Sequence, residues 1–118
     1  GVDVNPKCIK RAEDEGITTV FGDAEDMAFL SHLPVPNARW IISTLPEREA
    51  NEILMQGLDM FTRSGKLAIA SYREDDAHYW QHHNIDLIMH PYEKAADRIV
   101  EQVGLSEATE QTASTVKP

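Results

Sequence analysis

Gly1-Val2-Asp3-Val4-Asn5-Pro6 is the stretch on which the fold turns. A β-branched pair around an acid, followed at once by Asn-Pro, describes the last residues of a strand running straight into a helix. Asn5 suits the N-cap, and Pro6 suits the first helical position, where a missing amide hydrogen costs nothing. A chain that opens in mid-element implies that a preceding strand and helix are absent from the 118 residues. Outward from this point the same alternation repeats. A helix is expected over 6–15 with Gly16 as its C-terminal stop, then a β-branched strand over 17–21 that halts at Gly22-Asp23. Met27, Leu30 and Leu33 mark a short helix over 26–32, closed by Pro34-Val35-Pro36. Residues 40–44 and 67–72 read as buried strands. The helix over 47–63, with Ala50, Ile53, Leu54, Leu58 and Phe61 on one face, has the clearest amphipathic pattern. A polar helix over 74–83, a short strand over 86–89 and a helix over 91–103 ending at Gly104 complete the domain, leaving residues 105–118 as a flexible tail.

Strands alternating with helices through short connections give an α/β class. Near-continuous apolar strands imply a parallel sheet covered on both faces, doubly wound and Rossmann-like, lacking its first strand and helix. In the usual order that first strand lies between the strand ending at Asp3 and the strand over 40–44, so two backbone edges are expected to be open, with an oligomer, a swap or a marginal fold as the consequence. With 42% hydrophobic and 26% charged residues the composition is that of a globular domain, and a net charge of −9 argues against nucleic acid or anionic lipid as partner. One cysteine, Cys8, and no secretory pattern fit a reducing, cytosolic setting.

Ligands of doubly wound sheets sit beyond the carboxyl ends of the strands, which directs attention to Asp3, Gly22, Asp23, Ala24, Ser43 and Thr44. A carboxylate at Asp3 can accept from both ribose hydroxyls of an adenine nucleotide; an ordinary helix cap explains the same residue equally well. Asp23 can accept from an exocyclic amine while Ala24 offers a backbone amide, again with a cap as the alternative. Ser43 and Thr44 lie where hydroxyl or backbone contact with a ligand is reasonable, or where a plain strand-end turn would sit. No GxGxxG occurs in the sequence. His78, His82 and His83 share the polar helix without a cysteine or an HExxH pattern, so a solvated face accounts for them and no metal is expected.

The order Gly1-Val2-Asp3, Glu15-Gly16-Ile17 and Val20-Phe21-Gly22-Asp23-Ala24, continued through Asn37-Ala38 and Thr44, resembles the nucleotide-binding domain of Trk/Kef-type potassium transport proteins, the TrkA-N or RCK domain. The stretch from Asn84 to Arg98 is similar to the end of such domains fused to cation–proton antiporters, and the resemblance spans residues 1–104. It implies a non-enzymatic regulatory module that binds NAD or NADH, or else AMP or ATP, through Asp3, Gly22, Asp23, Ala24, Ser43 and Thr44. It further implies a membrane ion-transport domain as partner, a homodimer, and a place on the cytoplasmic face of the cell membrane. The runner-up is a fragment of an S-adenosylmethionine-dependent methyltransferase, suggested by the acidic strand end and Gly22-Asp23-Ala24-Glu25-Asp26; an antiparallel last strand would favour it.

Overall fold

A computed structural model describes the backbone of residues 1–114 and the side chains of residues 1–104. Asn5 caps α1 (Pro6–Asp14), its side chain accepting from the Lys7 amide at 3.0 Å. The helix stops because Gly16 takes φ of 80°, a left-handed conformation that only glycine adopts cheaply. Before it lies β1 (Val2–Asp3) and after it β2 (Val20–Phe21), much shorter than the β-branched run predicts. Asp26 caps α2 (Met27–Leu30) by accepting from the Ala28 amide, and the proline pair then winds a 3₁₀ turn over Val35–Asn37 that buries Val35.

The remaining elements are β3 (Trp40–Ser43), α3 (Arg48–Leu58), β4 (Lys66–Ala70), α4 (Glu74–Trp80), β5 (Leu87–Met89) and α5 (Pro91–Ser114). Helix α3 ends five residues early. Amides of Met60 and Phe61 turn back onto the carbonyls of Gly57 and Leu58, which brings Phe61 against the core and leaves Met60 outside. In the opposite sense, α5 continues through Gly104 to Ser114. Gly104 lacks the positive φ of a stop, and a glycine inside a helix costs only about 1 kcal/mol. Residues 115–118 of the expected tail lie outside the described residues.

All described strand pairs are parallel, and they form two sheets, β1-β2 and β3-β4-β5, in place of one. The α/β class and the Rossmann-like alternation hold. Within the larger sheet the register puts Ile41, Ser43, Leu67, Ile69 and Ile88 on one face, where Leu54 and Leu58 of α3 and Trp80 of α4 cover them. Burial of each such leucine or isoleucine contributes about 1.5–3 kcal/mol. The opposite face carries Trp40, Ile42, Ala68 and Leu87, and it is not covered as expected: Ile42 is 61% exposed and Leu87 47%. The apolar run of β3 reads as buried on both sides, yet no described helix closes this side over Trp40 and Ile42.

Strand β4 is seated by a close approach. A Cβ on Gly65 would lie 2.0 Å from the backbone oxygen of Ala38, a contact that no rotamer change relieves. Gly65→Ala is therefore expected to cost on the order of 3 kcal/mol in chemical denaturation, against about 1 kcal/mol for Gly16→Ala, whose added methyl meets open space and pays only for its φ.

Candidate functional site

The sequence-selected residues fall at the carboxyl ends of three strands. Asp3 ends β1, and its Oδ1 accepts from the Asn5 amide at 2.8 Å, so the carboxylate shapes the turn that starts α1. Beside it, the Gly22 amide donates to the Asp3 carbonyl at 3.0 Å, which fixes the two strand ends side by side. Gly22 leaves room for the Phe29 ring: a Cβ there would stand 2.1 Å from its edge. Asp23 Oδ1 accepts from the Glu25 amide at 2.9 Å, again a turn bond. Neither acid is the helix cap the sequence offered as the alternative: Asn5 and Asp26 hold those positions, while Asp3 and Asp23 stand at the strand ends and brace the turns that lead to those caps. Each bond uses Oδ1, and among the described residues no bond engages either Oδ2.

Ser43 is placed differently from Thr44. Its hydroxyl is buried and donates to Asn51 Oδ1 at 2.5 Å, while the Leu45 amide donates to it at 3.3 Å. Asn51 in turn donates through Nδ2 to the carbonyls of Leu45 and Glu47 at 3.0 and 3.2 Å. This network builds the turn from β3 into α3, so what Ser43 holds toward the strand end is backbone. Thr44 is exposed, and its carbonyl accepts from the Tyr72 hydroxyl at 3.1 Å, tying the ends of β3 and β4 together. Asn51 and Tyr72 escaped the sequence reading. The signal for Asn51 was present: it sits three and seven residues before Leu54 and Leu58, on the apolar stripe of α3, where a polar side chain has to find buried partners.

Between β1 and β3 lies a groove of about 530 Å³ whose walls include Val2, Ala24, Trp40, Ile42, Ser43 and Thr44. It brings Ala24, Ser43 and Thr44 together, while Asp3, Gly22 and Asp23 stand outside its lining. On the far side of α3, the Arg48 guanidinium lies 4.6 Å from the centre of the Tyr79 ring and 3.8 Å from Asp76. The Tyr79 hydroxyl donates to Glu52; this bond first, then burial and the Glu52 charge, raise its pKa above the ordinary phenol value. These contacts couple α3 to α4. Among the described residues no group of three metal-ligating side chains converges, and no described helix is long and apolar enough to cross a membrane.

The sequence profile of the TrkA-N domain matches residues 1–91. The chain belongs to the TrkA-N domain family. No curated protein sequence matches it. Among solved structures, this TrkA-N domain is similar to the NAD(P)-binding domain of an exopolyphosphatase-related protein from Archaeoglobus fulgidus, with a TM-score of 0.69, 16% identity, and coverage of 87% of this chain and 77% of that one. It is likewise similar to the TrkA-N domain of the inner membrane protein ybaL from Escherichia coli, with a TM-score of 0.67, 16% identity, and coverage of 86% and 75%. A third similarity is to the GsuK channel bound to NAD, with a TM-score of 0.64, 20% identity, and coverage of 75% of this chain and 16% of the channel. At these identities the likeness establishes the shared fold.

The turn network offers a direct check on how this TrkA-N domain builds its strand end. Asn51→Leu takes their partner from the Ser43 hydroxyl and the Leu45 carbonyl, while the Glu47 carbonyl keeps the backbone amide of residue 51, and is expected to cost about 2–3 kcal/mol. Adding Ser43→Ala to it should cost less than the two single losses combined, because both belong to one network; a double-mutant cycle by urea unfolding measures the difference.

Proposed function

We propose that this domain senses NAD or NADH, with AMP or ATP as the alternative adenine nucleotides, and regulates a potassium transporter or cation–proton antiporter from the cytoplasmic face of the membrane. The observation that carries the reading is the pair of adjacent carboxylates at the ends of β1 and β2. Asp3 accepts from the ribose hydroxyls through Oδ2, Asp23 accepts from the adenine amine, and Gly22 and Ala24 supply close backbone. Thr44 and the Ser43 backbone face the ligand from β3. Membership of the TrkA-N family and the NAD carried by the GsuK neighbour support the choice of ligand.

Such a domain does no chemistry on the nucleotide. A ligand shifts the arrangement of an assembled pair only by as much as it binds one arrangement more tightly, and a linker to the membrane domain transmits that bias. The exposed apolar side chains of α5, Ile99, Val100 and Val103, support assembly as a homodimer. Against the methyltransferase alternative stands the direction of β5, which is parallel to β4.

Calorimetric titration of the full chain with NAD, NADH, ATP, AMP and S-adenosylmethionine tests the ligand. Asp3→Asn keeps the Oδ1 acceptor of the turn and removes the charge, so its unfolding midpoint should hold while nucleotide affinity falls about tenfold, the difference between charged and neutral hydrogen bonds. Binding of S-adenosylmethionine alone, or unchanged affinity in the variant, overturns the assignment. Light scattering tests the dimer: Val100→Glu places a charge on the apolar face of α5 and should convert the pair to monomers without loss of helicity.

A further inference from the structure

A second cleft, of about 520 Å³, opens at the carboxyl ends of β4 and β5, one strand beyond Thr44. Tyr72 follows β4 into it, Arg73 and Glu74 stand beside it at the start of α4, and Tyr92 and Glu93 belong to the first turn of α5. The rings of Tyr72 and Tyr92 lie 5.6 Å apart between centroids at an angle of 68°, so they meet as adjoining walls of a corner and do not stack. Donation of the Tyr72 hydroxyl to the Thr44 carbonyl at 3.1 Å fixes one of these walls against β3. Two carboxylates, Glu74 and Glu93, stand against the single guanidinium of Arg73 along the lining, and among the described residues none of the three is in an ion pair. Asp75 adds to the first turn of α4, and the chain as a whole carries −9. Such a balance attracts cations.

We propose that this cleft binds a small organic cation through a quaternary ammonium group. Aromatic walls attract such a group by the negative faces of their rings, within about 6 Å of the centroid, and the group asks for no hydrogen bond in return. The two unpaired carboxylates add attraction from the rim and oppose an anion. An inorganic cation suits the donor set poorly: His78 and His90 also line the cleft, yet among the described residues no three metal-ligating side chains converge, and the space far exceeds that of a bare ion. A purely apolar ligand would desolvate Glu74 and Glu93 with nothing to offset the cost. The proposal does not depend on the nucleotide reading. Tyr72 nevertheless belongs to both places, because its ring walls the cleft while its hydroxyl holds the strand end at Thr44.

The test is calorimetric titration of the full chain with choline and with dimethylbutanol, the uncharged carbon isostere of choline. Choline should bind one-to-one with chemical-shift changes at the ring protons of Tyr72 and Tyr92, and the isostere should bind about tenfold more weakly. Tyr92 is 69% exposed, so Tyr92→Leu should keep the unfolding midpoint while choline affinity falls about fivefold. Tyr92→Phe, which keeps the ring, should restore that affinity. Glu93→Gln should weaken choline about threefold and leave the isostere unchanged. Flotation with phosphatidylcholine vesicles, which present the same group on a lipid, distinguishes the sources: retention of the chain marks a lipid headgroup, and binding of free choline without retention marks a solute. Absence of choline binding, equal binding of the isostere, or an affinity unmoved by Tyr92→Leu overturns the proposal. So do tyrosine shifts evoked by calcium ion and not by choline.

Discussion

Everything buried in this domain is organised around one strand bonded on both edges. Leu67, Ala68, Ile69 and Ala70 of β4 are all almost fully buried, and β4 pairs with β3 on one side and β5 on the other. The approach of Gly65 to the Ala38 backbone seats it, and the Leu67 amide donates to Asp86 at its far margin. Leu54, Leu58 and Trp80 then find a continuous apolar floor on one face. No comparable centre exists in the β1-β2 sheet, where two residues per strand and an exposed Phe21 leave α1 with no buried side chain. Stability is therefore concentrated in the three-stranded sheet, and the candidate nucleotide-binding acids lie on the lightly packed half.

This division bears on the proposed nucleotide sensing. A ligand gripping Asp3 and Asp23 meets elements held by few apolar contacts, which open at lower free energy than the core. The strand end at Thr44 is different, because the Ser43–Asn51 network and the Tyr72 hydroxyl fix it against the core. A ligand spanning the ends of β1 and β3 would bridge a compliant half and a rigid one, and its binding free energy would be felt as their relative position.

Local chemistry in the sequence was legible where one residue decides the conformation. Asn5-Pro6 starts α1 and Gly16 stops it as read, because a cap, a missing amide and a positive φ act within a single turn. Asp26 caps α2 by the same chemistry, although the pattern alone placed it inside the helix and offered Asp23 as the cap. Reading failed where distant backbone decides. The β-branched residues 17–19 favour a strand, but β1 offers β2 a ladder of only two residues. Ile42 belongs to an apolar run that looks buried on both faces, yet covering is a property of layers and not of the run itself. For the site, spacing located Asp3, Asp23 and Thr44 at strand ends, while the commitment of the Ser43 hydroxyl to Asn51 needed the turn to be folded before it could be seen.

Charge constrains which part of a dinucleotide this half of the fold can hold. Asp3, Asp23, Glu25 and Asp26 gather at the ends of β1 and β2 in a chain of net charge −9, so a phosphate there would be repelled, whereas ribose hydroxyls and an adenine amine arrive as uncharged donors to carboxylate oxygen. Arg39 and Lys66 stand at the amino ends of β3 and β4, away from those acids, and do not offset them. Under the proposed reading, the ends of β1 and β2 therefore suit the adenosine part of the ligand and not its phosphates.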